Sequence, residues 1–311
     1  MFADVTSANI VGYVNVVKGN EKKPTVGGVF CPIGNGKTWK LNDIQVASTN
    51  TGAKAKAYMN CVTEYVQVLD ENTAAVTARY TYMSLNMLKA LYATGWEAYT
   101  SRVGWWYYTG DAAKALKTKI ESPNYQDYMV PDTVTFPVGR GLLSYFTGTS
   151  GLVFETSGEV PQETTGYTAG NEKKPLIVNY IPRPVDLTEI SVVSTNTGAK
   201  AKAYMNCVTE YIQKLDANSA AVTARYTYMS LNMLKALYAT GWEAYTSRVG
   251  WWYYAGDAAK ALKTKIESAN YQDYMVAKDA AVFNPGEGFL CYFTGTSGLV
   301  FNFPSAIEQA E

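Results

Sequence analysis

Val76-Thr77-Ala78-Arg79-Tyr80-Thr81-Tyr82-Met83 returns unchanged, 146 positions later, as Val222-Thr223-Ala224-Arg225-Tyr226-Thr227-Tyr228-Met229. Within each octapeptide Val76, Ala78, Tyr80 and Tyr82 alternate with Thr77, Arg79, Thr81 and Met83. A period of two sends the two sets to opposite faces of an extended chain, so the stretch predicts a half-buried β-strand. Its return predicts that the domain around it is built twice.

Working outward, the copies stay almost identical from Ser48 to Val130 and from Ser194 to Val276. The differences are Val66/Ile212, Val68/Lys214, Glu71/Ala217, Thr73/Ser219, Thr109/Ala255 and Pro123/Ala269. Beyond that the likeness loosens. Asn20-Glu21-Lys22-Lys23-Pro24 matches Asn171-Glu172-Lys173-Lys174-Pro175, and Gly148 to Phe154 matches Gly295 to Phe301. The join falls in the polar run Val160-Pro161-Gln162-Glu163-Thr164-Thr165, which reads as a linker. The expected domains are therefore residues 1–160 and 161–311.

In each copy a second strand, Val62 to Leu69, precedes the first across Asp70-Glu71-Asn72-Thr73, so the two form a predicted hairpin. Further strands fit Lys54 to Cys61, Val103 to Tyr108, Leu142 to Phe146 and Leu152 to Glu155. Two short helices are also expected. Ser84 caps Leu85 to Tyr92, and Asp111 caps Ala112 to Ile120. The sum is an all-β chain with short helical insertions: two tandem β-sandwich or flattened-barrel domains.

Composition narrows the function. The 311 residues carry 27 Lys plus Arg against 27 Asp plus Glu. Zero net charge lacks the basic excess of a nucleic-acid partner and leaves little self-repulsion. There are 25 Tyr and 7 Trp but no His, and imidazole is the usual acid–base group and zinc ligand. No run of about 20 apolar residues is long enough to span a membrane as a helix.

No spacing points to an active site, so the sequence is read as non-enzymatic, without cofactor or metal. Gly139-Arg140-Gly141 lacks the lysine and the strand-to-helix context of a phosphate loop and reads as a glycine turn. Its counterpart, Gly286-Glu287-Gly288, carries the opposite charge. Arg140 and Glu287 would suit a head-to-tail contact between copies, or are simply solvated. The acidic residues shared by both copies, Glu64, Asp70, Glu97, Asp111, Glu121 and Asp127, read as caps or solvated surface.

Three features point toward assembly or binding. Gly104-Trp105-Trp106-Tyr107-Tyr108 recurs as Gly250 to Tyr254. Alternation sends one Trp–Tyr pair inward and one outward, so Trp105 or Trp106, with Trp251 or Trp252, is a candidate surface for a subunit or a glycan. Cys61 and Cys207 are equivalent, whereas Cys31 and Cys291 have no counterpart, Ser144 matching Cys291. An early odd cysteine and a late one suggest a Cys31–Cys291 disulfide between head-to-tail neighbours, which needs an oxidising compartment, or else two free thiols. The apolar opening Asn9 to Val17, with Ile10, Val11, Tyr13 and Val14, either pairs within its own domain or adds to a neighbour's sheet edge.

Ala3-Asp4-Val5-Thr6-Ser7-Ala8-Asn9-Ile10-Val11-Gly12-Tyr13-Val14 resembles the mature start of secreted bacterial envelope proteins of the Verrucomicrobia–Planctomycetes type. Similar segments include Gln67-Val68-Leu69-Asp70, Ala78 to Tyr82, the Pro-Gly-x-Gly-Phe turn at Pro285 to Phe289, and Ser157-Gly158-Glu159-Val160. The resemblance touches both copies, while the near-identical pairing and the Ala/Tyr/Trp-rich middle depart from the family pattern. It implies an exported, non-enzymatic surface protein, with Phe2-Ala3-Asp4 as the stub of a cleaved signal peptide. It carries no catalytic residues over.

These readings converge on a structural subunit, secreted and extracellular, that self-associates head-to-tail into a filament or surface layer. The other reading is an adhesin or carbohydrate-binding protein using exposed Trp and Tyr.

Overall fold

The computed structural model describes residues 11–18, 21–29, 38–48, 64–83, 103–108, 124–146, 152–160, 164–169, 172–194, 210–229, 249–255, 271–293 and 298–306. The predicted helices, the strand from Lys54 to Cys61, and Ile10, Cys31, Cys61 and Cys207 lie outside them. The fold is all-β. It divides into two compact units, one holding residues 1–69, 75–160 and 217–220 and the other 70–74, 161–216 and 221–311.

In the first unit the strands are β1 (Val11–Lys18), β2 (Thr25–Val26), β3 (Thr38–Lys40), β4 (Gln45–Ser48), β5 (Tyr65–Leu69), β6 (Val76–Met83), β7 (Gly104–Tyr107), β8 (Thr135–Pro137), β9 (Leu142–Tyr145) and β10 (Leu152–Glu159). They form a five-stranded sheet in the order β2-β9-β5-β6-β7, a three-stranded sheet β1-β10-β4 and the pair β3-β8. All the pairings are antiparallel.

The second unit repeats the plan. Its strands are β11 (Thr165–Ala169), β12 (Leu176–Val178), β13 (Val185–Asp186), β14 (Ser191–Ser194), β15 (Tyr211–Leu215), β16 (Val222–Met229), β17 (Gly250–Tyr254), β18 (Val282–Phe283), β19 (Gly288–Tyr292) and β20 (Leu299–Phe303). The sheets are β12-β19-β15-β16-β17, β11-β20-β14 and β13-β18.

The core of the first unit lies between its sheets. Val66, Trp105, Leu142 and Phe146 come from the five-stranded sheet and its margin, Val46, Leu152 and Phe154 from the three-stranded one, and Trp39 and Phe136 from β3 and β8. Each fully buried apolar side chain of this kind contributes about 1.5–3 kcal/mol. The rings of Trp105 and Phe146 lie 6.4 and 6.0 Å from that of Phe154, so the two sheets face each other in a sandwich-like arrangement.

The sequence reads the β5–β6 hairpin correctly. Its turn is held by the Asp70 carboxylate, which accepts from the Asn72 and Thr73 N–H groups and the Thr73 hydroxyl at 3.0, 2.8 and 2.9 Å. Ala74 and Ala220 then take a left-handed conformation, with φ 61° and 60°. The strand predicted over Leu152 to Glu155 runs on to Glu159, because β1 pairs with its whole length. The strands of two or three residues, β2, β3, β8, β12, β13 and β18, have no period long enough to read from sequence.

At Gly288 the backbone of β19 passes so close to β12 that a Cβ would run into the Ile177 carbonyl oxygen and come 2.8 Å from Val178 Cγ1. Backbone cannot yield as a flexible side chain does, so Gly288→Ala is expected to lower stability by about 2–3 kcal/mol. A urea midpoint equal to that of the parent protein would contradict this β12–β19 approach.

Candidate binding surface

The five-stranded sheets carry a row of tyrosines on the face opposite Val66 and Ile212. The register of β5 with β9 sets Tyr65 directly across from Tyr145, and that of β15 with β19 sets Tyr211 across from Tyr292. Directly opposed residues on neighbouring strands are close enough for their side chains to touch. The Tyr65 and Tyr145 rings stack 5.0 Å apart and 9° from parallel, and Tyr108 extends the row 5.5 Å beyond Tyr65. In the second unit Tyr211 and Tyr292 lie 5.0 Å apart at 10°, with Tyr254 at 5.5 Å.

Cations flank both rows. The Arg79 guanidinium sits 5.8 Å from the Tyr65 ring centre and the Lys23 ammonium 5.9 Å from that of Tyr145. Arg225 and Lys174 take the same places at 5.9 and 5.8 Å over Tyr211 and Tyr292. These distances fall in the range of cation–π attraction. Stacking turns the ring faces toward one another and toward the cations. Tyr145 and Tyr292 are 39% and 41% exposed while Tyr108 and Tyr254 are buried, so each row reaches solvent at one end, with half-buried Lys and Arg beside it.

Most residues singled out from the sequence lie elsewhere. Trp105, Trp106, Trp251 and Trp252 are all buried, which corrects the expectation of one outward tryptophan per copy. Alternation does place Trp105 and Trp106 on opposite faces of β7, but both belong to the core cluster of the first unit. Among the described residues the exposed aromatics are tyrosines: Tyr107, Tyr145, Tyr253 and Tyr292.

Cys291 corrects a second expectation. It sits in β19, between β12 and β15, with none of its surface exposed. Burial raises its thiol well above the ordinary value. A sulfur enclosed in this way offers no bridge to another chain. Its counterpart Ser144 is equally buried, so the pair marks a difference in core packing and not an assembly contact.

Arg140 is 5% exposed and donates from Nη2 to the Leu69 carbonyl at 2.6 Å. Glu287 Oε2 accepts from the Asn284 backbone and side-chain nitrogens at 3.1 and 3.2 Å. Arg140 is thus enclosed within its own unit, neither solvated nor open to a second copy, whereas Glu287 braces its own turn and stays half-exposed. The glycine-turn reading does hold, since Gly139 and Gly286 have φ of 85° and 75°. The strand carrying Val11, Tyr13 and Val14 pairs along its length with β10 of its own unit, the first of the two alternatives its sequence allows.

Among the shared acidic residues, Asp70 caps a turn as expected, whereas Glu64 and Glu210 are buried instead of solvated. They line small cavities inside the sandwiches, about 10 Å³ in the first unit and about 20 Å³ in the second. That is room for roughly one water, too little for an organic ligand. Among the described residues the tyrosine rows are a feature that reaches solvent in both units, as do Tyr107 and Tyr253. Neither a family model, nor a curated protein, nor a solved structure matches the chain.

Two outcomes follow from burial. Alkylation of the native protein, mapped by mass spectrometry, should leave Cys291 unmodified and label it only after denaturation; native labelling would contradict its placement. Desolvation also raises the phenols of Tyr65, Tyr80, Tyr82, Tyr211, Tyr226 and Tyr228, with Arg79 and Arg225 opposing the shift at Tyr65 and Tyr211. A phenol whose folded value is raised keeps its proton longer when folded, so its contribution is complete below the unfolded value and disappears as pH climbs through the folded one. Stability should therefore fall above about pH 10, and a phenolate absorbance titration should show a class of tyrosines ionising later than free tyrosine. A single transition at the free value would contradict it.

Proposed function

We propose that the chain is a non-enzymatic recognition protein, secreted or displayed at a cell surface, that holds an acidic polysaccharide on the tyrosine row of each unit. The observation that carries this reading is the appearance of the same row twice with its flanking cations, the change beside it falling within β9 and β19. β9 reads Leu142-Leu143-Ser144-Tyr145 and β19 ends Phe289-Leu290-Cys291-Tyr292. The buried partner changes while the outward tyrosine stays.

The chemistry of the row favours an acidic ligand over a neutral sugar. A neutral ring would need an open aromatic face to lie on, and here the faces are occupied by stacking and by Lys and Arg. Phenolic O–H groups and cationic heads are donors, and carboxylate or sulfate groups are the acceptors they fit best. The resemblance of Ala3 to Val14 to exported envelope proteins supports the extracellular setting.

The test is binding to heparin and to alginate by the parent protein and by a variant carrying Lys23→Gln, Arg79→Gln, Lys174→Gln and Arg225→Gln. The reading expects salt-sensitive binding that weakens about tenfold or more in the variant. Equal binding by the variant, or a preference for neutral glycans, would contradict it.

A second reading, a self-assembling structural subunit, is supported by zero net charge and by duplication within one chain. Sedimentation that finds monomers at all concentrations would remove it.

A further inference from the structure

The stacked pairs have a chemical capacity separate from ligand binding. Tyr65 and Tyr145 stand directly opposite on neighbouring strands, nearly parallel and 5.0 Å apart, and Tyr211 and Tyr292 repeat this geometry. One member of each pair is open to solvent and the other lies behind it. We propose that Tyr65–Tyr145 and Tyr211–Tyr292 are oxidative cross-linking sites, each forming one dityrosine bond within its unit in the presence of hydrogen peroxide and a haem peroxidase.

The electron balance is simple. Each phenol gives up one electron and its hydroxyl proton to become a phenoxyl radical. The two radicals join through ring carbons next to the hydroxyl-bearing carbons, forming one C–C bond. The hydrogens displaced from those carbons return to the phenolic oxygens as the rings regain aromaticity. The pair loses two hydrogen atoms overall, and one peroxide molecule takes them up as two waters.

Geometry selects these pairs. Coupling between rings already held together is a unimolecular event and outruns encounters between dilute molecules. The exposed Tyr145 and Tyr292 are where a peroxidase product can begin, and the partner ring is in contact. Other tyrosine pairs on these sheets are less suited. Tyr80 and Tyr107 lie 5.9 Å apart at 60°, and Tyr226 and Tyr253 lie 6.1 Å apart at 66°, so their ring planes cross. Tyr108 and Tyr254 stack on the inner members of the rows but are buried. The bond would tie β5 to β9 and β15 to β19, joining strands far apart in sequence and restricting the unfolded chain most where the closed loop is long.

The experiment treats the full-length protein, dilute, with horseradish peroxidase and hydrogen peroxide. It reads dityrosine fluorescence, the monomer band on a denaturing gel, and cross-linked peptides by tandem mass spectrometry. The expected product is a monomer lighter by two hydrogen atoms per link, with Tyr65 joined to Tyr145 and Tyr211 to Tyr292. Tyr145→Phe and Tyr292→Phe keep the stacked ring, so the fold is retained. Each should lose its own link and keep the other, and the double variant should lose both. Absence of dityrosine, links between other tyrosines or between chains, or an unchanged yield in the double variant would overturn the proposal.

Discussion

The indole of Trp105 ties the first unit together. Its Nε1–H donates to the Ile44 carbonyl at 2.9 Å, just before β4 of the three-stranded sheet. Its own carbonyl accepts from Val130 at 2.9 Å, and its ring packs edge-on to Tyr82 and face to face with Phe154. One residue therefore connects the five-stranded sheet, the opposing sheet and the segment leading into β8. A buried indole N–H left without an acceptor would cost about 1–3 kcal/mol, so the approach of the sheets is fixed by a polar contact as well as by apolar area. Trp251 repeats the arrangement with Ile190, Val276, Tyr228 and Phe301. The rest of each sandwich is assembled around this anchor.

With that anchor fixed, the two copies have been free to drift in defined places. Val66 and Ser144 face each other across β5 and β9, while Ile212 and Cys291 do so across β15 and β19. Both positions change together, and both become larger and more apolar in the second unit. The turn before β9 is braced by Arg140 and that before β19 by Glu287, two different solutions to the same local need. The tyrosine row and its cations do not drift. Tyr65, Arg79, Tyr108 and Lys23 lie in stretches the copies share almost unchanged, and Tyr145 opens another shared run, Tyr145 to Phe154.

Much of the architecture was legible in the sequence. The strict alternation of Val76 to Met83 gave β6, the polar Asp70 turn gave its hairpin, and the internal repeat gave the duplication. The candidate site was read less well, for physical reasons. Period two tells that Trp105 and Trp106 face opposite ways, but not that the second face is also covered. The unmatched Cys291 looked like a feature of the chain end, yet a central sheet position between β12 and β15 is the one place where a thiol is least available. Tyr145 carried no local signal; only its persistence as Tyr292, beside the changed Ser144/Cys291 pair, marked it. The pairing of Tyr65 with Tyr145 depends on register between strands distant in sequence, which one sequence does not specify.

The account stands on the claim that each unit offers an equivalent site. Isothermal titration of the intact protein with a short acidic oligosaccharide, too short to bridge two sites, measures this most directly. Two ligands bound per chain with closely similar affinity is the predicted result. One ligand per chain, or none at any salt concentration, would contradict it.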